Sequence, residues 1–103
     1  TIVGWASLSA WSDRCAYADT AEASVYVRKE YRGKGVGRLL SVALLEAGEK
    51  AGLHTVIARI TGGNEASLRL AQSAGFELVG TMKEVGRKFG RLHNVHLLQR
   101  IYP

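Results

Sequence analysis

The sequence predicts an α/β fold in which a central mixed β-sheet is built around a β-α-β unit. Three observations predict it. Short apolar runs of β-forming residues alternate with two helical patterns along the 103 residues. A glycine-rich turn, Arg32-Gly33-Lys34-Gly35-Val36-Gly37, joins one such run to the longer helical pattern. There is no linker, internal repeat or low-complexity segment, so residues 1–103 read as a single domain.

Each element follows from local chemistry. Residues 2–11 are apolar with β-formers near their start, which marks a first strand. Ser12-Asp13-Arg14 is turn chemistry, and residues 21–28 return as a second strand, giving a hairpin with a long connection. After the glycine turn, apolar side chains at Val36, Leu39, Leu40, Ala43, Leu44, Ala47 and Ala51 recur at helical spacing and stop near Gly52. That stripe is expected to face the core. Residues 55–60 are rich in β-branched side chains and read as a short buried strand. Asn64 is suited to cap a second helix running to about Ala74, with Gly75 as its terminator. Residues 76–85 and 92–101 read as two more strands, with a turn at 86–90. The strand–helix–strand segment around Gly37 is expected to be a right-handed parallel crossover.

Bulk properties narrow the function. The net charge is +5, but the cations do not form one run. Arg28, Lys29, Arg32, Lys34 and Arg38 crowd the glycine turn, and Arg87, Lys88, Arg91 and Arg100 lie in the tail. No interleaving of basic and aromatic residues suggests a base-stacking platform, which argues against nucleic acid as the partner. No apolar run reaches bilayer length, so no membrane partner is expected. A lone cysteine, Cys15, forms no intrachain disulfide and fits a reducing cytoplasm. His93 and His96 sit three apart in a predicted strand and point to opposite faces, and no cluster completes a metal site.

The glycine turn carries the chemistry. A turn between strand and helix leaves several backbone N–H groups unpaired beside the positive end of the helix dipole. Glycines at 33, 35 and 37 let an anion approach the backbone without meeting a Cβ, and Arg32, Lys34 and Arg38 add charge. A phosphorylated ligand fits this turn. The spacing matches neither the P-loop nor the dinucleotide fingerprint.

Arg-x-x-Gly-x-Gly, from Arg32 to Gly37, resembles the pyrophosphate loop of the GCN5-related N-acetyltransferase (GNAT) family. Further stretches resemble the same family in order and spacing: Thr20-Ala21-Glu22-Ala23-Ser24-Val25-Tyr26-Val27, Asn64-Glu65-Ala66-Ser67-Leu68, Ala74-Gly75-Phe76 and Val85-Gly86-Arg87-Lys88-Phe89-Gly90-Arg91. Together they are similar to its phosphinothricin and methionine sulfone N-acetyltransferase branch, across residues 2–99.

The resemblance implies a GNAT fold and acetyl-coenzyme A (acetyl-CoA) as co-substrate, with no metal. It also implies a small amino-acid-like amine as acceptor. In the family a bulge splays the strand before the turn. The backbone of Val25, Tyr26 and Val27 would then pair with the pantetheine arm, with an amide near Val27 facing the thioester oxygen. Arg32, Gly33, Lys34, Gly35, Val36, Gly37 and Arg38 would hold the pyrophosphate. Asn64 resembles a pantetheine-contacting asparagine, although a plain helix cap explains it equally well; Ser73 is a further cofactor candidate. Glu22 matches a glutamate of the branch and is the candidate base, against the alternative of an ordinary strand-end charge. On a straight strand, Glu22, Ser24 and Tyr26 share one face. Cys15, Ala16 and Tyr17 fall in the segment that resembles the acceptor-binding hairpin; a small residue in a turn is the simpler reading of Cys15.

Three departures stand out. Ala71 replaces the tyrosine or histidine that many relatives use to protonate the leaving thiolate. Leu92 and Asn94 replace the usual tryptophan and aspartate after the tail motif. Relatives also carry roughly half a domain before the point where this chain starts, so the chain corresponds to the C-terminal two-thirds of the usual domain. An exposed sheet edge and apolar surface are then expected to favour a dimer or higher homo-oligomer. A non-catalytic acyl-CoA-binding module is the alternative function, and a basic interaction domain a third.

Overall fold

The computed structural model describes residues 3–103. Its strands are β1 (Gly4–Ala10), β2 (Thr20–Val27), β3 (Thr55–Thr61), β4 (Glu77–Lys88) and β5 (Arg91–Ile101). They form one sheet in the order β1-β2-β3-β5-β4. Two helices, α1 (Val36–Lys50) and α2 (Glu65–Ser73), make the crossovers, and short 3₁₀ turns occupy Cys15–Tyr17 and Lys29–Tyr31. The mixed sheet agrees with the sequence-based expectation. The start of the first strand as read from sequence, residue 2, lies outside the described residues.

Both helices cover the same face. Leu45 of α1 joins Val56, Ile60, Phe76, Leu98 and Tyr102 in the core, and Leu68, Ala71 and Ala74 on the α2 side pack against it. Val56 and Leu98 are fully buried; each such side chain contributes about 1.5–3 kcal/mol. Alternation along the strands sends Trp5, Glu22, Ser24, Tyr26, Ile57 and Arg59 to the opposite face. No helix among the described residues covers that face, and Trp5 and Tyr26 stack on it with ring centroids 6.0 Å apart.

Several expectations need correction. The buried positions of α1 are Ser41, Leu45 and Gly48, while Leu39 is 73% exposed. The inner stripe is rotated from the apolar one because small residues allow close approach to the sheet. A Cβ at Gly48 would strike the Tyr102 hydroxyl and crowd Leu53 and Leu8. Strand β3 is not buried throughout: Thr55, Val56 and Ile60 are, but Arg59 is exposed. Strand β4 runs on to Lys88, so the turn is Phe89–Gly90 alone, both with positive φ (53° and 72°). That is the handedness a tight hairpin requires.

Candidate functional site

Strands β2 and β3 pair in parallel for three residues only, Thr20↔Thr55 to Glu22↔Ile57, and then separate. On its other side β2 keeps unbroken register with β1 from Gly4↔Val27 to Ala10↔Ala21. The strand therefore carries no bulge, contrary to expectation; the gap arises because the β2–β3 ladder simply stops. The hydrogen bonds at the two ends of the hairpin fix which groups face it. Arg28 N–H donates to the Val3 carbonyl (2.7 Å) and Trp11 N–H to the Thr20 carbonyl (3.3 Å). Alternation then turns the backbone groups of Tyr26 toward β1 and those of Val25 and Val27 into the gap. The expectation for Tyr26 is corrected accordingly: its backbone belongs to the β1 ladder. Arg32 Nε donates to the Val27 carbonyl at 3.0 Å, so the Val25 N–H and C=O and the Val27 N–H remain on offer.

The glycine turn closes one end of the gap. Gly35, the residue before α1, adopts φ +84°, which explains a glycine there. Leu39 N–H is the first to reach an intrahelical carbonyl, that of Gly35, and no side chain caps the helix. The amides of Val36, Gly37 and Arg38 thus stand free at the positive end of a 15-residue helix. A groove of about 450 Å³ runs from this turn along Val25, Tyr26 and Val27 to Asn64, Ser67 and Leu70, flanked by Arg32 and Arg38. Lys34 and Val36 line no wall of it; the Lys34 ammonium lies over the Tyr31 ring at 5.8 Å. A second cavity of about 260 Å³ continues the gap past Glu22, Ser24, Ala58, Arg59 and Ala71. The two share Val25, Asn64, Ser67 and Leu70 and form one continuous cleft.

Asn64 Oδ1 accepts from Ser67 N–H at 3.2 Å and caps α2, leaving its Nδ2 available to the cleft. Glu22, its side chain 20% exposed, is held by Arg59: Nε and Nη2 donate to its two oxygens at 2.6 Å each. The hydrogen bond to Glu22, then its charge, raise the Arg59 pKa above its ordinary value. The guanidinium also lies over the Trp11 ring at 5.8 Å. Sequence reasoning missed Arg59, although an arginine inside a β-branched run was a visible signal. Ser73 lies off the cleft: its Oγ donates to the Leu70 carbonyl at 2.7 Å, and it lines a separate depression with Glu46 and Arg100. Its side chain meets no part of the groove because it faces the other side of α2. Cys15, Ala16 and Tyr17 are exposed on the β1–β2 connection and line none of these cavities. Among the described residues no cluster of ligating side chains could hold a metal, and no helix is long and apolar enough to cross a membrane.

The sequence matches the Acetyltransferase (GNAT) family over residues 1–76. The chain belongs to the GNAT family. It is 43% identical over 98 residues to the L-methionine sulfoximine/L-methionine sulfone acetyltransferase of Pseudomonas aeruginosa, covering 95% of this chain and 57% of that protein. It is 43% identical over 99 residues to the phosphinothricin N-acetyltransferase of Streptomyces coelicolor, covering 96% and 58%. Among solved structures, a Salmonella typhimurium protein with its cofactor acetyl-CoA superposes with a TM-score of 0.95 at 37% identity, covering 98% of this chain and 58% of that one. The GNAT phosphinothricin acetyltransferase of Sinorhizobium meliloti, in complex with acetyl-CoA, gives 0.94 at 38% identity, covering 98% and 55%. This GNAT chain spans just over half the length of these relatives.

Proposed function

We propose that this GNAT chain carries acetyl-CoA-dependent N-acetyl transfer to the amine of a small amino-acid-like acceptor of the phosphinothricin or methionine-sulfone type. One observation carries the reading: the β2–β3 gap opens directly from three uncapped helix amides. Those amides, with Arg32, Gly33, Gly35 and Arg38 around them, suit a diphosphate, and the free edge of β2 at Val25 and Val27 suits an amide-bearing arm added as a strand. Lys34 would act as a nearby charge and Val36 through its backbone. When bound, acetyl-CoA supplies an activated acyl carbon and a thiolate leaving group. The Val27 N–H, which faces the gap, would donate to the thioester oxygen as negative charge develops there. Glu22 takes the proton of the attacking amine, directly or through water. Ala71 offers no proton to the departing sulfur, so water does so.

Acetyl-CoA should raise the melting temperature, and a thiol reagent should detect coenzyme A release with methionine sulfone or phosphinothricin. Release should fall by about 10²–10⁴ in Glu22→Gln with acetyl-CoA binding kept. A second reading, a non-catalytic acyl-CoA-binding module, is favoured by the engagement of both Glu22 oxygens and by Ala71. It gives binding without turnover and indifference to Glu22→Gln. We read the chain as one domain, equivalent to just over half the length of its relatives and working as a cytoplasmic homodimer. The aromatic residues on the uncovered sheet face support self-association, and the exposed Cys15 thiol suits a reducing compartment. A monomeric mass in light scattering would reject the dimer.

A further inference from the structure

Arg59 is placed to do more than neutralise Glu22. Its guanidinium has two hydrogen-bonding edges, each able to grip a carboxylate with parallel N–H groups. Glu22 occupies the Nε/Nη2 edge. The Nη1/Nη2 edge has no partner among the described residues, and the side chain is 51% exposed at the cleft wall. Trp11, 5.8 Å from the guanidinium, supports its plane. The arginine is therefore held in position by one carboxylate while its second fork stays open. Fixing it beforehand removes part of the rotamer entropy that an unsupported side chain of this length loses on binding.

The neighbours of the fork matter as much as the fork itself. The guanidinium lies against the Glu22 carboxylate, Ser24 follows Glu22 on the same face of β2, and all three residues line the same cavity. A free α-amino acid carries an ammonium and a carboxylate on adjacent atoms. With its nitrogen beside Glu22, its carboxylate would be within reach of the open edge of Arg59, because the two side chains are in direct contact.

We propose that Arg59 is a specificity-determining residue of the acceptor site, selecting acceptors that carry a carboxylate next to the amine. This rests on the acetyltransferase reading and adds to it a chemical reason for preferring free amino acids over plain amines. No chemistry is assigned to Arg59 itself; it positions the acceptor and Glu22 together.

The test is calorimetric titration of the full chain, saturated with coenzyme A, with two probes. One is L-methionine sulfone and the other its decarboxylated counterpart, 3-(methylsulfonyl)propan-1-amine. The native chain should bind the amino acid at least about tenfold more tightly. Arg59→Gln should abolish that preference, weakening the amino acid far more than the amine, and Arg59→Lys should retain part of it, since a point charge lacks the fork. Acetyl-CoA should raise the melting temperature equally in all three proteins. Equal affinity of the native chain for both probes overturns the proposal, as does an equal loss for both in Arg59→Gln. No binding of either probe, with the acetyl-CoA shift intact, also overturns it and leaves the acyl-CoA site standing. Absence of that shift in the native chain defeats the underlying reading instead.

Discussion

Gly37 separates the binding role of the α1 terminus from its structural role, and Gly37→Ala tests the separation. An ideal Cβ at this position lies 3.0 Å from Leu70 Cδ2 and 3.5 Å from Val27 Cγ2. The second distance is ordinary contact. The first requires a few tenths of an ångström from a methyl at the end of a flexible side chain. Against that strain stands the helix propensity of alanine over glycine, about 0.5–1 kcal/mol. The two nearly cancel, so stability should change by less than about 1 kcal/mol, or about 4–8 °C in melting temperature for a domain of this size. Binding should not be spared. Both Val27 and Leu70 line the groove, so the new methyl stands on its floor beside the free amides. Losing one charge-assisted hydrogen bond to a phosphate is worth about 1.5–3 kcal/mol, or roughly tenfold to a hundredfold in Kd. Thermal denaturation with and without acetyl-CoA, followed by calorimetric titration, measures both quantities. Unchanged affinity for acetyl-CoA at unchanged stability would refute the placement of the diphosphate. A large fall in melting temperature would show instead that Gly37 is required for packing.

Asn64→Asp keeps the oxygen that caps α2 but turns the cleft-facing amide into a carboxylate. Melting temperature should hold within about 3 °C while acetyl-CoA affinity falls; Asn64→Ala should instead cost about 1 kcal/mol of stability. Gly75 has φ +91°, and a Cβ there would strike the Arg100 guanidinium, whose Nη1 donates to the Ala74 carbonyl. Gly75→Ala should therefore lower unfolding stability by about 2–4 kcal/mol in urea titration, combining backbone strain with loss of a charge-assisted bond. Burial raises the Tyr102 pKa above its ordinary value, and its hydroxyl donates to the Leu45 carbonyl at 2.8 Å. The native state thus holds the phenolic proton more tightly than the unfolded chain, so this stabilisation is full below pH 10 and is lost as pH rises from there through the raised value. Tyr102→Phe should be less stable at neutral pH yet show a shallower loss in alkali.

How much of this was legible in the sequence depends on whether the cause is local. The start of α1 at Val36, the cap at Asn64 and the stop at Gly75 were readable because each rests on a turn or terminus built from neighbouring residues. The glycine turn was readable for the same reason. Sheet order and the point where β2 leaves β3 were not, because they depend on what packs beneath the strands. The rotated face of α1 shows the same limit: apolar spacing pointed to Leu39, but Gly48, lying close against Tyr102, Leu53 and Leu8, decides which side can approach the sheet. Arg59 illustrates it at the site, since nothing in the local run of β3 names a partner 37 residues away.

The gap between β2 and β3 is affordable only because it is wet. Unpaired backbone groups in a dry interior cost several kcal/mol each, whereas Val25 is 37% exposed, so its open edge is within reach of solvent. Gly37 of α1 and Leu70 of α2 meet beneath the gap and line it. An incoming chain of amides therefore exchanges water for the ladder that β3 does not provide, at little cost in reorganisation. Glu22 and Arg59 project to the face that no helix among the described residues covers, so under the proposed reaction the acceptor would enter from that side. Under that reading donor and acceptor would approach from different sides and meet where the sheet is open, so the end of pairing at Glu22↔Ile57, rather than any single side chain, organises the site.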